Sequence, residues 1–524
     1  SLGTYTANVY SQDRSDTITG TIALTNPLRF VTSMVKNNCT GYSYSNGAIK
    51  WTGILGGNPI INGNEYWSEL YNSSGTYQGS WSFNNSGTGV ADASNLAADT
   101  YLIMVKDGTG CEVWDTVTIV DQDQGTYFVS SSGNNSNDGS SVSAAYETIE
   151  YALSQICDED TIIILDGTYY EDSLEVNRSV VIGSQYLIDG DVSHIANTII
   201  DGGDDGWIMR WNAGSGNWSD TTTNQIVGLT IQNGNSKHGS GYSGGLSVWY
   251  SRVVKVSDVV FYSNHSSVHH GGGMYTHSSS YVELDNVLFK ENSADGGGAI
   301  MSQNSRMRWL NVEFDNNQST NQDGLAIWID NSYSFYSDGV NIHHHSNPQL
   351  REVIRMNMWD NVDDIILKNW RIQNNTINAR LFAISQQNSS RKLIIQNALI
   401  TDNTSTNGGP GILIRDSRNK VNIINSTIAN NTSISSTNNT GASMIVIKNA
   451  QSDLTVNLLN SIVQNSTSTY TIAENGANGF DLNIQNSFIS GGAAKVDVSS
   501  SSTKTYGTTN ISSGMYFVDA ANGD

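Results

Sequence analysis

Asn286-Val-Leu-Phe289-Lys-Glu-Asn292 and Asn311-Val-Glu-Phe314-Asp-Asn-Asn317 carry one pattern: an Asn, two residues, a large apolar residue, two residues, an Asn. The pattern recurs at Asp258-Phe261-Asn264, Asn369-Ile372-Asn375, Asn397-Ile400-Asn403 and Asn425-Ile428-Asn431, with anchors 28, 25, 58, 28 and 28 residues apart. The step of 58 reads as two turns with a degenerate rung near Ile342, and looser copies surround Ile231, Val463 and Ile489. Between anchors lie Gly-rich starts of apolar strands, such as Gly271-Gly-Gly-Met274, Gly296-Gly-Gly-Ala-Ile300 and Gly411-Ile-Leu-Ile414.

A fixed period of this size is the mark of a solenoid, in which each turn stacks equivalent side chains on those of the turn before. Phe and Ile anchors then form a continuous core. Asn tolerates the left-handed backbone of a sharp bend, and stacked Asn amides can hydrogen-bond along the ladder. Gly supplies positive φ at another corner. Roughly 390 residues would make about 14 rungs and a rod of some 65–70 Å at the usual strand spacing.

Composition agrees. The chain has 524 residues, 50 Gly and 4 Pro, and only 14% charged residues. Its polar bulk of Asn, Ser, Thr and Gly excludes a helical bundle and a charge-rich disordered chain. A net charge of −23 disfavours nucleic acid and anionic membranes as partners and favours solubility and divalent cations. No apolar run approaches the ~20 residues of a membrane span. The N-terminal residues alternate like a strand and lack the features of a signal peptide, which reads as a processed or internal fragment.

The first part repeats itself. Gly3-Thr-Tyr5-Thr-Ala-Asn-Val9 matches Asp99-Thr-Tyr101-Leu-Ile-Met-Val105, a period near 96 residues, and each copy is followed by a second alternating segment. Residues 1–27 therefore read as the C-terminal part of one β-sandwich module and 28–121 as a complete one, with a polar junction at 121–125. Cys39-Thr-Gly41, Trp81, Asn95-Leu-Ala-Ala-Asp99-Thr-Tyr101 and Val105-Lys-Asp-Gly-Thr-Gly-Cys111 resemble the SprB-type repeat of Bacteroidota gliding and surface adhesins, with Asp99 where that family usually has Gly. The resemblance implies Ig-like sandwiches, export by the type IX system, an extracellular cell-surface location and a role in adhesion or gliding. It also makes a Cys39–Cys111 disulfide an expectation, with Cys157 left over as a small buried residue.

From 126 to 524 the chain reads as a parallel β-helix. Ala145, Ile149, Ala152, Leu153 and Ile156 share one helical face, and the strand from Thr161 to Leu165 and Gly167-Thr-Tyr-Tyr-Glu171 follow. This order resembles the N-terminal cap and first rung of pectin-lyase-like right-handed parallel β-helices. The pairing of Phe-x-x-Asn with Gly-Gly-Ala-Ile resembles the repeats of polymorphic outer-membrane adhesins. The fold class is then all-β: Ig-like β-sandwich modules followed by a right-handed parallel β-helix with an N-terminal capping helix.

Three groups are candidate sites. Asp201, Asp204 and Asp205, with Asp189 and Asp191 upstream, suit a Ca²⁺ site or a carboxylate pair, or else a polar turn between rungs. Trp207, Trp211 and Trp218 could stack on sugars, or pack a small core of their own. His238, His265, His269, His270, His277 and His343 to His345 match no zinc spacing, and consecutive His point to opposite faces of a strand, so they read as surface or loop residues. Arg351 and Arg355 read as a solvated face. No catalytic residue and no required cofactor emerge, with Ca²⁺ the one cation in view. The leading functional expectation is a fragment of a large secreted adhesin or surface-filament protein that binds glycans or other surfaces. Its other partners would be further modules of the same polypeptide and anchoring or secretion machinery. A polysaccharide lyase or hydrolase on a stalk, and a spacer without ligand, are the alternatives.

Overall fold

In a computed structural model the chain divides into two compact units, Ser1–Gly125 and Thr126–Asp524. The structure describes residues 3–10, 17–24, 28–36, 38–39, 47–55, 66–83, 90–108, 110–119, 121–122 and 125–513, the last span without 213–223, 238–242, 252, 269, 279, 323, 348, 350–351, 359–362, 388–390, 435–442, 465–469 and 477–478.

In the first unit both copies of the sequence repeat form antiparallel strand pairs. Gly3–Tyr10 pairs with Thr17–Leu24, placing Tyr5 opposite Ile22, and Asp99–Asp107 pairs with Glu112–Ile119, placing Tyr101 opposite Val117. The second pair belongs to a four-stranded antiparallel sheet with Tyr66–Tyr71 and Tyr77–Phe83. A three-stranded sheet is formed by Arg29–Lys36, Gly47–Leu55 and Val90–Leu96. Period-2 alternation gives each sheet one apolar face. Ile49, Trp51 and Ala91 from one sheet share a core with Leu70, Phe83 and Ile103 from the other. The Trp51 and Trp81 rings meet edge to face at 4.8 Å.

In the second unit the helix is shorter than the apolar spacing suggests, Ile149–Gln155, because Thr148 caps it through a bond from the Tyr151 N–H. Glu171 also accepts the N–H groups of Ile149 and Glu150, both at 2.8 Å. Its carboxylate thus satisfies donors that the first helical turn leaves open. Ile149, Ala152 and Leu153 join the main core. Two further short helices, Tyr186–Asp189 and Ser193–Asn197, were not expected from the sequence, which shows no apolar helical face there.

The remainder is a parallel β-solenoid. One sheet has 12 strands and another 22, every neighbouring pair of strands in them parallel. The 12-stranded sheet gives one strand per turn among the described residues, so about a 53 Å stack at 4.8 Å spacing. The expected anchors align in register: Phe261 with Phe289, Phe314, Ile342, Ile372, Ile400 and Ile428. Phe261 stacks on Phe289 at 4.8 Å and Phe289 on Phe314 at 5.3 Å, with nearly parallel rings.

The two Asn columns have different jobs. The first, including Asn286, Asn311, Asn369, Asn397 and Asn425, sits at φ between 50 and 56°, bending the strand as expected. The second is buried. Asn264 Nδ2 donates to Asn292 Oδ1 at 3.0 Å, and Asn292 repeats this to Asn317. Each Nδ2 also donates to a backbone carbonyl of the rung before, as Asn292 does to Phe261. The ladder therefore satisfies its buried amides internally.

Ile342 occupies a full rung, and its flanks explain the lost pattern. Gly339, at φ 74°, takes the bend in place of Asn. His345 takes the buried ladder position: its Nδ1 lies 3.0 Å from Asn375 Oδ1, and its Nε2 3.4 Å from Asn317 Nδ2.

Candidate functional site

The 12-stranded sheet starts at the Gly-rich segments. In the strands Leu174–Val176, Met209–Trp211, Leu246–Trp249, Met274–His277, Ile300–Gln303 and Ile327–Asp330, the first and third residues point into the core. Register then lines up the second residues, Glu175, Arg210, Ser247, Tyr275, Met301, Trp328 and Arg355, of which Ser247, Tyr275 and Met301 are buried. A parallel column forms beside it from Trp249, His277, Gln303, Asp330 and Asn357.

Arginine and aromatic side chains interlock along this face. Arg210 forks onto Glu175, with Nε 3.0 Å from Oε2 and Nη2 on Oε1. Its guanidinium lies 5.1 Å from the Trp207 ring centre and 5.4 Å from that of Trp249. Tyr275 stacks on His277 at 6.0 Å and donates to Gln303 Oε1. Burial holds the His277 imidazole below its ordinary pKa. Arg355 lies 5.4 Å from the Trp328 ring centre, which also meets His270 at 5.0 Å. Glu352, only 3% exposed, faces Arg415 at 3.6 Å and Arg355 at 4.0 Å. Arg415 and Asp330 are bridged by Asn357. Arg380 is buried and donates to the carbonyls of Gly409 and Ser443; burial lowers its pKa to about 10, while nearby Glu352 opposes that shift. The face thus offers flat apolar rings edged by guanidinium forks, a combination suited to stacking and multidentate hydrogen bonding.

The expected site residues fare unequally. Trp207 belongs to this face. Trp211 is fully buried, a core residue between Val176 and Val248, because it holds the inward third position of its strand. Trp218 lies outside the described residues. Asp201 is 7% exposed, and its oxygens accept from Gly203 N, Gln232 Nε2 and Asn233 Nδ2 at 2.7–2.9 Å. Asp204 accepts from Asn235 at 2.8 Å, and Asp205 faces Lys237 at 3.7 Å. These hydrogen bonds fit the polar-turn alternative. Asp189 and Asp166 hold His194, and Asp191 accepts the Ser193 N–H.

Arg355 is not simply solvated but lies on Trp328, and Arg351 lies outside the described residues. Cys157 is buried, as expected of a small core residue, and the Cys39 side chain lies outside the described residues.

The histidines divide likewise. His238 and His269 are outside the described residues; His265 contacts Ser293 at 2.6 Å. His345 is buried rather than at the surface. His343 and His344 do not point apart: His344 sits at φ 60°, and this bend turns both rings onto Asp315. Trp249, Tyr275, Trp328, Glu352 and Arg415 escaped the sequence reading. The findable signal was their alternation with apolar residues after each Gly-rich start.

No family model matches the chain, and no curated protein matches it. Among solved structures, the Yersinia enterocolitica family 28 exopolygalacturonase aligns over 93% of this chain and 97% of its own, at 10% identity and a TM-score of 0.30. The GH136 lacto-N-biosidase of Eubacterium ramulus covers 72% and 67% at 7% identity and 0.32. A mannuronan C-5 epimerase A-module of Azotobacter vinelandii covers 68% and 92% at 13% identity and 0.29. These likenesses are too slight to identify a relative; the solenoid rests on its own strand register. Among the described residues, no helix is long and apolar enough to cross a membrane.

Proposed function

We propose that this chain is part of an extracellular surface protein that binds glycans along the outward face of its 12-stranded sheet. The observation that carries this reading is the set of Trp207, Arg210, Trp249, Trp328 and Arg355, half-buried rings and guanidinium groups along one sheet face. Aromatic rings can cover the apolar faces of sugars while guanidinium forks bond their hydroxyls or carboxylates. A parallel sheet repeats such contacts at a fixed rise, which suits a polymer. We read the solenoid as right-handed, with the Ile149–Gln155 helix closing its first rung. The first unit reads as Ig-like SprB-type repeats, supported by the duplicated strand pair and the core around Trp51. That reading carries with it the adhesin role, the type IX route and the Bacteroidota source.

Affinity electrophoresis of the full chain through gels containing different polysaccharides, with and without Ca²⁺, tests the function. Retarded migration is expected for at least one polymer, and Arg210→Ala with Trp249→Ala should abolish it while circular dichroism stays unchanged. Retardation that survives this double variant would remove the face from contention. A lyase or hydrolase is the second reading, favoured by one feature: Glu352, a nearly buried carboxylate held between Arg355 and Arg415. It predicts a cleared zone in the same gel, lost in Glu352→Gln.

A further inference from the structure

On the outward side of the 22-stranded sheet, away from the glycan face, two neighbouring rungs bring Asp315 beside His343 in register. His344 follows at the corner, and its left-handed backbone directs its ring back over the same spot. Three ligand atoms converge there. His343 Nδ1 and His344 Nδ1 are 2.8 Å apart, and Asp315 Oδ1 lies 3.4 Å from the first and 3.0 Å from the second. On its other side, His343 Nε2 lies 2.8 Å from Glu313 Oε1.

We propose that Asp315, His343 and His344 bind a divalent transition-metal ion of the zinc class, with Glu313 as the positioning residue for His343.

The proton count points this way. A neutral His343 that gives its one N–H to Glu313 presents a bare lone pair at Nδ1. It faces the His344 Nδ1 and a carboxylate oxygen. His344 has one proton at most for that contact, so a neutral trio leaves lone pairs facing each other. A cation at the centre of the triangle satisfies all three. Zinc bonds of about 2.0–2.2 Å place tetrahedral ligand atoms about 3.3–3.5 Å apart. The shortest observed edge needs about 0.5–0.7 Å of expansion to reach these values, and His344, 60% exposed, can move to supply it. Imidazole nitrogens with one carboxylate suit zinc, nickel or copper better than calcium. The Glu313–His343 contact is the outer partner that fixes tautomer and ring orientation in metal-binding histidines. Lys290 takes the other oxygen of Asp315, at 3.1 Å, leaving Oδ1 for the ion.

Titration of the chelator-treated full chain with zinc chloride by calorimetry tests this. Expected are one ion per chain, loss of at least about tenfold in affinity in His344→Ala and Glu313→Gln, and no change in His265→Ala. Cobalt(II) should give the visible absorption of a tetrahedral centre, abolished by Asp315→Asn. Absence of saturable binding would overturn the proposal, as would binding that persists unchanged in His344→Ala; the trio would then be a protonated ion-pair cluster. His344 lies at an exposed corner, so its variant retains the fold.

Discussion

His345→Asn should change how the solenoid responds to acid. In the buried amide ladder a neutral imidazole serves in place of Asn: Nδ1–H donates to Asn375 Oδ1, and Nε2 accepts from Asn317 Nδ2. A second proton on Nε2 would face the Asn317 amide donor in a fully buried site. Burial, the largest cause, pushes the His345 pKa down to about 3. The folded value is depressed relative to about 6.5 in the unfolded chain. The unfolded state therefore binds more protons between these values, and stability falls as pH drops below 6.5, levelling out below 3. At pH 4.5 the gap is about two units, or ~2.7 kcal/mol, to within its order of magnitude. Asn does not titrate and restores the donor and acceptor of its neighbours. Urea unfolding of both proteins at pH 7 and pH 4.5 gives the comparison, with other titrations cancelling in the double difference. The wild type should lose about 2–3 kcal/mol more than the variant. Equal losses in the two proteins would refute the assignment of His345 as a neutral member of the ladder.

Phe289→Ala should cost about 3–5 kcal/mol in the same assay, because Phe289 is sandwiched between Phe261 and Phe314; a loss under 1 kcal/mol would mean the stack is not formed. Asn292→Ala removes the acceptor of both Asn264 N–H groups and should cost about 1–3 kcal/mol for each group left unsatisfied. Trp207→Ala should weaken glycan retardation without lowering stability, whereas Trp211→Ala should lower the unfolding free energy by about 3–5 kcal/mol, as expected of a core indole.

The solenoid was legible because its period is enforced by contact: each anchor must meet the one a turn away. Asn was read both as a left-handed bend and as a stacked amide ladder; the division of these roles between two columns came from the structure. The rung at Ile342 escaped the pattern because Gly339 and His345 satisfy the same backbone and hydrogen-bond demands with other residues. The Trp cluster misled because proximity in sequence says nothing of facing: Trp207 and Trp211 straddle a strand entry, one outside and one in the core. The Asp315–His343 pairing joins residues a full turn apart, so it required the register and the corner at His344. The arginine–aromatic face was missed for a related reason, since its residues come one or two per rung.

The regular spacing of the ladder also makes length a quantity that can change in whole units. Asn369 and Asn397 are bonded across 28 residues, as Asn403 and Asn431 are. Excising residues 369–396 would bring Asn397 to the bend that Asn369 occupies and set Ile400 on Ile342 in the anchor column. A deletion one residue longer would turn the strand that spans the junction inside out. Gene duplication and loss can therefore lengthen or shorten this protein turn by turn, while nearly every other insertion within a strand is purged.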